Sequence, residues 1–181
     1  MQSEEDLVRR AQRGDTEAFA QLCEAHFDKI YRYIALKVRN RADAEDLTQQ
    51  AFLKATEAIG SYRWKGLPFA SWLFRIAHNQ VIDHFRRTSK ESGVPLDEAI
   101  TVAPDDPVSI TEQRMTMAQL TAACDRLSEA QREVIYLRFG SELSIAETAR
   151  VMCRREGAIK ALQHDAVVKL RRIVFQDEAG K

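Results

Sequence analysis

The sequence predicts an all-α protein made of two small helical domains joined by a flexible acidic linker. Apolar residues recur at three- and four-residue steps in the long segments, and no segment alternates as a strand does. Residues 88–111 hold three of the four prolines and have no helical period. Residues 91–113 contain six acidic side chains and no Lys or Arg. We therefore expect domains at 1–90 and 114–177, with the linker at 91–113.

Four helices are predicted in the first domain. Ser3, followed by three acids, caps the first helix, and Gly14 ends it. Asp15 caps the second, Asp43 opens the third, and Pro68 suits the first turn of the fourth, which ends in two arginines. The second helix carries one predicted buried stripe, formed by Phe19, Leu22, Cys23, Phe27, Ile30, Ile34 and Val38.

Helical structure is predicted to resume near Glu112, where the second domain begins. Ser128 and Gln131 stand three residues apart at the start of an apolar run, the spacing of a capping box. Gly140 ends that helix. Helices at 144–152 and 155–175 follow, separated by a turn around Cys153.

These last two helices are a helix-turn-helix candidate. Apolar residues occupy one side of the second helix, and small or polar residues occupy the other, so the backbone can approach base edges in a major groove. A solvated outer face of a small bundle is the alternative. The candidates for reading duplex DNA, or for contacting its phosphates, are Arg154, Arg155, Glu156, Gly157, Lys160, Ala161, Gln163, His164 and Arg171.

A second candidate for nucleic-acid binding is the aromatic loop between Gly60 and Gly66. Its aromatic and cationic side chains can stack an extruded base and neutralise a phosphate, and the next helix carries a polar, largely cationic edge outside its apolar stripe. Alternatively the tryptophans fill core space, which we favour for Trp72. The predicted single-strand contacts are Tyr62, Arg63, Trp64, Lys65, Arg75, Asn79, Asp83, Arg86 and Arg87.

The exposed face of the third helix suggests a protein-docking surface. Asp43, Asp46, Gln49 and Gln50 recur at helical spacing opposite the apolar stripe. An ordinary polar surface is the alternative.

Other function classes find little support. The chain has no phosphate-binding GxxxxGK[ST], HExxH or GxSxG motif and no paired His/Cys spacing, so we expect no enzyme, cofactor or metal. The N-terminus has no apolar run, which argues against a signal peptide. Cys23, Cys124 and Cys153 lie far apart, as expected for reduced thiols in a cytoplasmic protein.

Two motifs resemble the extracytoplasmic-function (ECF) sigma factors, the small members of the sigma-70 family that keep only regions 2 and 4. Residues 43–53, DAEDLTQQAFL, are similar to the family's polymerase-docking helix, written DAEDLVQEVFL. Residues 68–87, PFASWLFRIAHNQVIDHFRR, are similar to its promoter-melting helix, with His78 where Arg is common. Residues 127–139 and 143–170 are similar to region 4.

The resemblance implies a transcription-initiation factor that binds core RNA polymerase and promoter DNA. Asp46, Leu47 and Gln49 would contact the clamp helices of the largest polymerase subunit, and region 4 would meet the flap. The aromatic loop and the fourth helix would hold the melted −10 element, and residues 155–165 would read the −35 element as duplex. An anti-sigma factor is an implied partner, which could hold the factor at the membrane without inserting it.

Charge distribution agrees with two DNA-binding domains. The net charge is zero, but residues 1–90 hold 15 Lys/Arg against 12 Asp/Glu and residues 131–181 hold 10 against 7. The linker can extend to roughly 75–80 Å, so it does not fix the spacing. An acidic path through a polymerase channel and a solvated tether remain alternatives. A stand-alone helix-turn-helix regulator with a helical sensor domain is the rival function.

Overall fold

The computed structural model describes residues 3–63, 68–92 and 112–179, and within these ranges the chain is helical with no strand. The expected linker lies largely outside the described residues. The first four helices, here called the N-terminal bundle, are α1 (Glu4–Gln12), α2 (Thr16–Val38), α3 (Arg41–Ala58) and α4 (Phe69–Ser92), with a short 3₁₀ turn at Ile59–Ser61.

Side-chain caps begin the first three of these helices. The amide of Asp6 donates to Ser3 Oγ over 3.2 Å, and the amide of Ala18 donates to Asp15 Oδ1 over 3.0 Å, as the sequence predicts. The third helix starts earlier than predicted, because the Asn40 side chain accepts from the amide of Asp43. The fourth continues beyond the predicted arginine pair to Ser92.

The N-terminal bundle packs around large side chains from α2 and α4. Tyr33 and Phe74 meet edge to face with ring centroids 5.6 Å apart, and both are fully buried. The stripe of α2 is buried at Leu22, Ile30 and Ile34, but Phe27 is 45% exposed, contrary to the prediction. Its ring lies instead on the outer surface shared by α2 and α3.

The C-terminal bundle contains α5 (Glu112–Asp125), α6 (Glu129–Ile135), α7 (Ile145–Val151) and α8 (Glu156–Ala179). The predicted capping box at Ser128 and Gln131 is present. After α6 the helix widens into a π turn, Tyr136–Gly140, which the amide of Ser141 closes by donating to the carbonyl of Tyr136 over 3.0 Å.

The two bundles pack against each other. Helix α4 packs on α7, and α2 packs on the π turn. A Cβ added to Gly140 would lie 2.6 Å from Leu36 Cδ1, so the glycine allows a close approach to α2 as well as ending the helix. One hydrophobic cluster includes residues of both bundles, while Val134, Ala149 and Ile159 form a small second one.

None of the described helices is both long enough and apolar enough to cross a lipid bilayer.

Candidate nucleic-acid interface

The α3 face, formed by Asp46, Gln49, Gln50 and Leu53, is the candidate docking surface. Asp46 and Gln49 are exposed, and Gln50 Nε2 donates to Asp46 Oδ2 over 2.6 Å along the helix. Asp43, the first predicted member of this surface, is half-buried beside His84, 3.9 Å away. Leu47, also predicted to touch polymerase, is only 1% exposed and packs in the core. The structure thus places Leu47 beneath the α3 face, and its contact with polymerase stays a prediction.

The α3 face also has an apolar part that was not predicted from the sequence. Leu53 is 60% exposed, one turn beyond Gln49 and Gln50. On the adjacent surface Phe27 stacks against Phe52, with centroids 5.7 Å apart. The helical step from Gln49 to Leu53 was the available signal. A polar face flanked by exposed apolar side chains is typical of a protein-binding surface.

The α4 edge, formed by Arg75, Asn79, Asp83, Arg86 and Arg87, is exposed throughout its length. Its members stand at steps of three and four residues, so most of them form one stripe along the helix. Arg86 and Asp83 are 3.7 Å apart and both are more than half exposed. The predicted residues are therefore brought together on a surface open to a nucleic-acid strand.

The aromatic loop differs from its prediction at Tyr62. The Tyr62 ring is 3% exposed and lies edge to face on Phe69 at 5.9 Å and against Trp72 at 5.0 Å. Burial, together with the nearby charges of Glu4 and Glu5, raises the pKa of Tyr62 to about 12. Tyr62 thus belongs to the core and is not presented to a base. Arg63 is exposed, and Trp64 and Lys65 lie outside the described residues.

The helix-turn-helix prediction is confirmed in its parts. The hydroxyl of Ser144 accepts from the amide of Glu147 over 3.1 Å, and the Glu147 carboxylate accepts from the amide of Ser144 over 2.7 Å, a capping box on α7. Cys153 occupies the turn with φ 52°, and the amide of Arg154 returns to the carbonyl of Ala149 over 2.8 Å. A left-handed residue at this point redirects the chain into α8.

The recognition face is the exposed side of the residues just before α8 and of the first turns of α8. Its inner side is anchored by Ile159 and Ala166, both fully buried. A Cβ at Gly157 would meet nothing within 4 Å, so the backbone there is open to an approaching groove. The exposed members of the face are Arg154, Arg155, Glu156, Gly157, Lys160, Ala161 and His164.

Two predicted members stand apart from the recognition face. Gln163 is half-buried, and its Oε1 accepts from Arg138 Nε over 2.8 Å. This bond connects α8 to the π turn. Gln163 therefore has a structural role, and its Oε1 is already engaged in a hydrogen bond. Arg171 is exposed nearly two turns beyond His164, too far along α8 to share the same groove contacts.

The thiols are all free. Cys124 is buried, Cys23 is partly buried, and Cys153 is exposed in the helix-turn-helix. Burial raises the pKa of Cys23 to about 11, which keeps it protonated near neutral pH. Within the described ranges no three His, Cys, Asp or Glu side chains are grouped as metal ligands.

Exposed cationic and polar surfaces on two helical bundles, one of which contains a helix-turn-helix, are typical of a DNA-binding protein. Comparison with known proteins specifies its family. The model for Sigma-70 region 2 matches residues 22–91, and the model for Sigma-70, region 4 matches residues 123–172.

Relatives and a solved structure agree with these matches. ECF RNA polymerase sigma factor BldN of Streptomyces coelicolor is 42% identical over 177 residues, covering 95% of this chain, which spans 66% of BldN. ECF RNA polymerase sigma factor SigM of Mycobacterium tuberculosis is 32% identical over 172 residues, with 95% of this chain and 85% of SigM covered. The sigma factor RpoE, solved with the anti-sigma factor NepR from Bartonella quintana, has the same fold, with a TM-score of 0.69, 23% identity, and 86% and 96% of the two chains covered.

The chain belongs to the ECF RNA polymerase sigma factors of the sigma-70 family. This assignment favours the sigma-factor function over the stand-alone regulator considered from the sequence.

Proposed function

We propose that this sigma factor loads core RNA polymerase onto promoters by dividing the work among three surfaces: the α3 face docks on polymerase, the α4 edge holds the melted −10 strand, and the recognition face reads the −35 duplex. The observation that carries the proposal is the exposure of all three surfaces while the residues beneath them are buried. The proposal needs no catalysis or cofactor from this chain.

Docking would combine the polar and apolar parts of the α3 face. Exposed Asp46 and Gln49 offer hydrogen bonds to the clamp helices, and Leu53 with Phe27 offers apolar area that water would leave on binding. Leu47 would act from beneath, by holding α3 against the core.

The α4 edge would capture the unpaired strand. Its arginines can neutralise phosphates, and Asn79 and Asp83 can hydrogen-bond to base edges that become available only after melting. Capture of exposed bases stabilises the open state without any input of ATP.

The recognition face would enter the major groove. Gly157 and Ala161 leave room for the duplex, and Lys160 and His164 reach towards base edges, while Arg154 and Arg155 suit phosphates. Residues 1–90 and 114–177 would then form the two functional domains, with 91–113 as the connection.

An anti-sigma factor is the proposed regulator. The complex of Bartonella quintana RpoE with NepR shows that a protein of the same fold has such a partner. We place the chain in the cytoplasm, where core polymerase and promoter DNA are found, with membrane association only through such a partner.

Separate variants of the docking and recognition surfaces test the division of work. Asp46→Ala with Gln49→Ala should weaken binding to core polymerase about tenfold or more, because docking contacts are lost. Lys160→Ala should leave that affinity unchanged and lower −35-dependent run-off transcription by a similar factor. Core binding is measured by fluorescence anisotropy and transcription on promoters with intact or scrambled −35 elements.

Matched controls come from the same helices. Lys54→Ala removes an exposed cation on the flank of α3, and Lys169→Ala removes one from α8 beyond the recognition face. Both should behave as wild type. Loss of core binding in the Lys160 variant, or retention of it in the Asp46/Gln49 variant, would contradict the proposal.

A further inference from the structure

The side chain of Arg138, in the π turn, connects the two helices of the helix-turn-helix. Its Nε donates to Oε1 of Gln163 on α8 over 2.8 Å, and its Nη1 donates to the carbonyl of Leu143, the residue before the cap of α7. Arg138 is half-buried, and Leu143 is buried. One guanidinium therefore fixes the start of α7 relative to the middle of α8.

The hydrogen bond from Arg138 assigns the two polar atoms of the Gln163 amide. An arginine side chain donates hydrogen bonds and accepts none, so the amide atom that faces Arg138 is the oxygen. The other atom, Nε2, carries two hydrogens, has no partner among the described residues and is not enclosed. Gln163 is thus held as a hydrogen-bond donor, although a free glutamine amide both donates and accepts.

Gln163 lies next to the recognition face. Glu156, Lys160 and Gln163 follow one another at steps of four and three residues, so they form one row along α8. Glu156 and Lys160 are exposed, and Gln163 is half-buried beside the π turn. Three residues of helix advance by only about 4.5 Å, so a major groove that meets Lys160 also comes within reach of Gln163 Nε2.

A glutamine held as a donor reads bases differently from a free one. A free amide makes two hydrogen bonds to adenine, accepting from N6 and donating to N7. With its oxygen occupied, Gln163 can only donate, which suits the acceptors of guanine (O6 and N7) and of thymine (O4). Adenine keeps one bond at N7 and loses the other, and cytosine presents a donor and therefore offers Gln163 no partner.

We propose that Arg138 is a positioning residue for promoter reading: by holding Oε1 of Gln163, it makes Gln163 select guanine or thymine at one position of the −35 element. The inference rests on the proposed function for the duplex that is read. The hold of Arg138 on Gln163 is measurable without DNA.

The substitution Gln163→Glu separates the two parts of the amide. Glutamate keeps an oxygen for Arg138 and replaces the donor by a second acceptor. Holoenzyme reconstituted with each variant selects from promoter-length duplexes of random sequence, and the retained duplexes are sequenced. Gln163→Glu should change the preference at one −35 position from guanine or thymine to cytosine by about tenfold, because a carboxylate accepts from cytosine N4. The other positions should keep the wild-type preference.

Removal of Arg138 should move the same position in another direction. Arg138→Met leaves both atoms of the Gln163 amide free, so the preference there should shift towards adenine. A folded Arg138→Met that selects the same base as wild type would contradict the positioning role. Circular dichroism checks the helices, and Gln163→Glu, which keeps the bond, decides the matter if Arg138→Met does not fold.

Matched substitutions elsewhere in the C-terminal bundle are the controls. Gln119→Glu makes the same change of charge on the exposed side of α5, and Arg172→Met removes an exposed arginine from α8 beyond the recognition face. Both should select the same bases as wild type at every position.

Nuclear magnetic resonance of the free chain tests the hold of Arg138 on Gln163. The Nε hydrogen of Arg138 should exchange slowly with water in wild type and in Gln163→Glu. In Gln163→Leu, which has no acceptor, it should exchange about tenfold faster. Equal exchange rates in Gln163→Leu and wild type would show that Arg138 does not depend on Gln163 and would overturn the inference.

The two measurements also separate this inference from the proposed function. An unchanged base preference in Gln163→Glu at every position would overturn the reading by Gln163 while −35 recognition as a whole remains. If wild-type holoenzyme selects no −35 sequence, the proposed function fails, and the exchange rates still decide whether Arg138 holds Gln163.

Discussion

The two bundles are held together by different means. Three of the four helices of the N-terminal bundle have 23, 18 and 24 residues, and they bury large side chains such as Tyr33, Phe69 and Phe74. In the C-terminal bundle α6 and α7 have seven residues each, and both begin with a capping box. Helices this short are marginal alone, so local polar caps and contacts with neighbours fix them. This difference shows that a long helix such as α8 can be positioned by short helices with capped N-termini, while its outer face remains exposed.

The largest effect is expected from the loss of one aromatic side chain in the core of the N-terminal bundle. Phe74→Ala should lower the free energy of unfolding by about 3–5 kcal/mol, because it leaves a cavity in the N-terminal core. Phe27→Ala removes the same side chain from a position 45% exposed and should cost less than about 1 kcal/mol. Urea denaturation followed by circular dichroism measures both, and equal losses would show that the N-terminal bundle does not depend on its buried aromatics.

A smaller effect on stability is expected from protonation of the Glu133 carboxylate, which lies between the bundles. Because the pKa of Glu133 falls from 4.5 to about 2 in the folded chain, its stabilisation is present above pH 4.5 and is lost as the pH falls towards 2. The contribution is on the order of 3 kcal/mol, since a tenfold difference in proton affinity between the folded and unfolded chain corresponds to about 1.4 kcal/mol. The groups facing it are Tyr33 and Lys37 on α2 and His78 on α4.

Glu133→Gln is the reference for this pH dependence. Chemical denaturation of wild type and variant at a series of pH values should give a difference in stability that shrinks as the solution is acidified. A difference that stays constant between about pH 5 and pH 3 would mean that Glu133 is not held ionised by its neighbours.

The smallest expected effect is at the caps. Ser144→Ala removes one half of the capping box of α7 and should cost about 1 kcal/mol. Faster hydrogen exchange at the amide of Glu147 would locate the loss. Thr56→Ala, where an exposed hydroxyl bonds to the carbonyl of Phe52 within α3, is the control and should be neutral or slightly stabilising. An unchanged exchange rate at Glu147 would show that α7 is held by packing alone.

Features that depend on near neighbours in the sequence were predictable. The caps at Ser3, Asp15 and Ser128 are local hydrogen bonds, and the all-helical class follows from apolar periodicity. The turn at Cys153 was also found, because two periodic segments are separated there. The resemblance to the sigma factors predicted the family from contiguous motifs that the comparisons confirm.

Features that depend on residues distant in the sequence were not predictable. Leu47 and Tyr62 lie in segments with functional resemblance, yet both are buried by packing that the local pattern does not contain. Gln163 is engaged by Arg138, 25 residues away, and Glu133 meets Tyr33 across 100 residues. One usable signal was present: Glu133 adjoins a continuous apolar run, where a carboxylate needs partners to remain charged.

The N-terminal bundle, which carries the α4 edge, includes residues that precede the segment matched by the region 2 model. Gln12 is one of them. Its Nε2 donates to the carbonyls of Ile59 and Tyr62, at 3.0 and 2.7 Å, and so holds the backbone of the 3₁₀ turn that follows α3. The matched region begins only at residue 22. The boundary of a sequence family and the boundary of the smallest self-sufficient folding unit therefore differ here: a chain trimmed to the match would lose the donor for two backbone oxygens next to the ring of Tyr62.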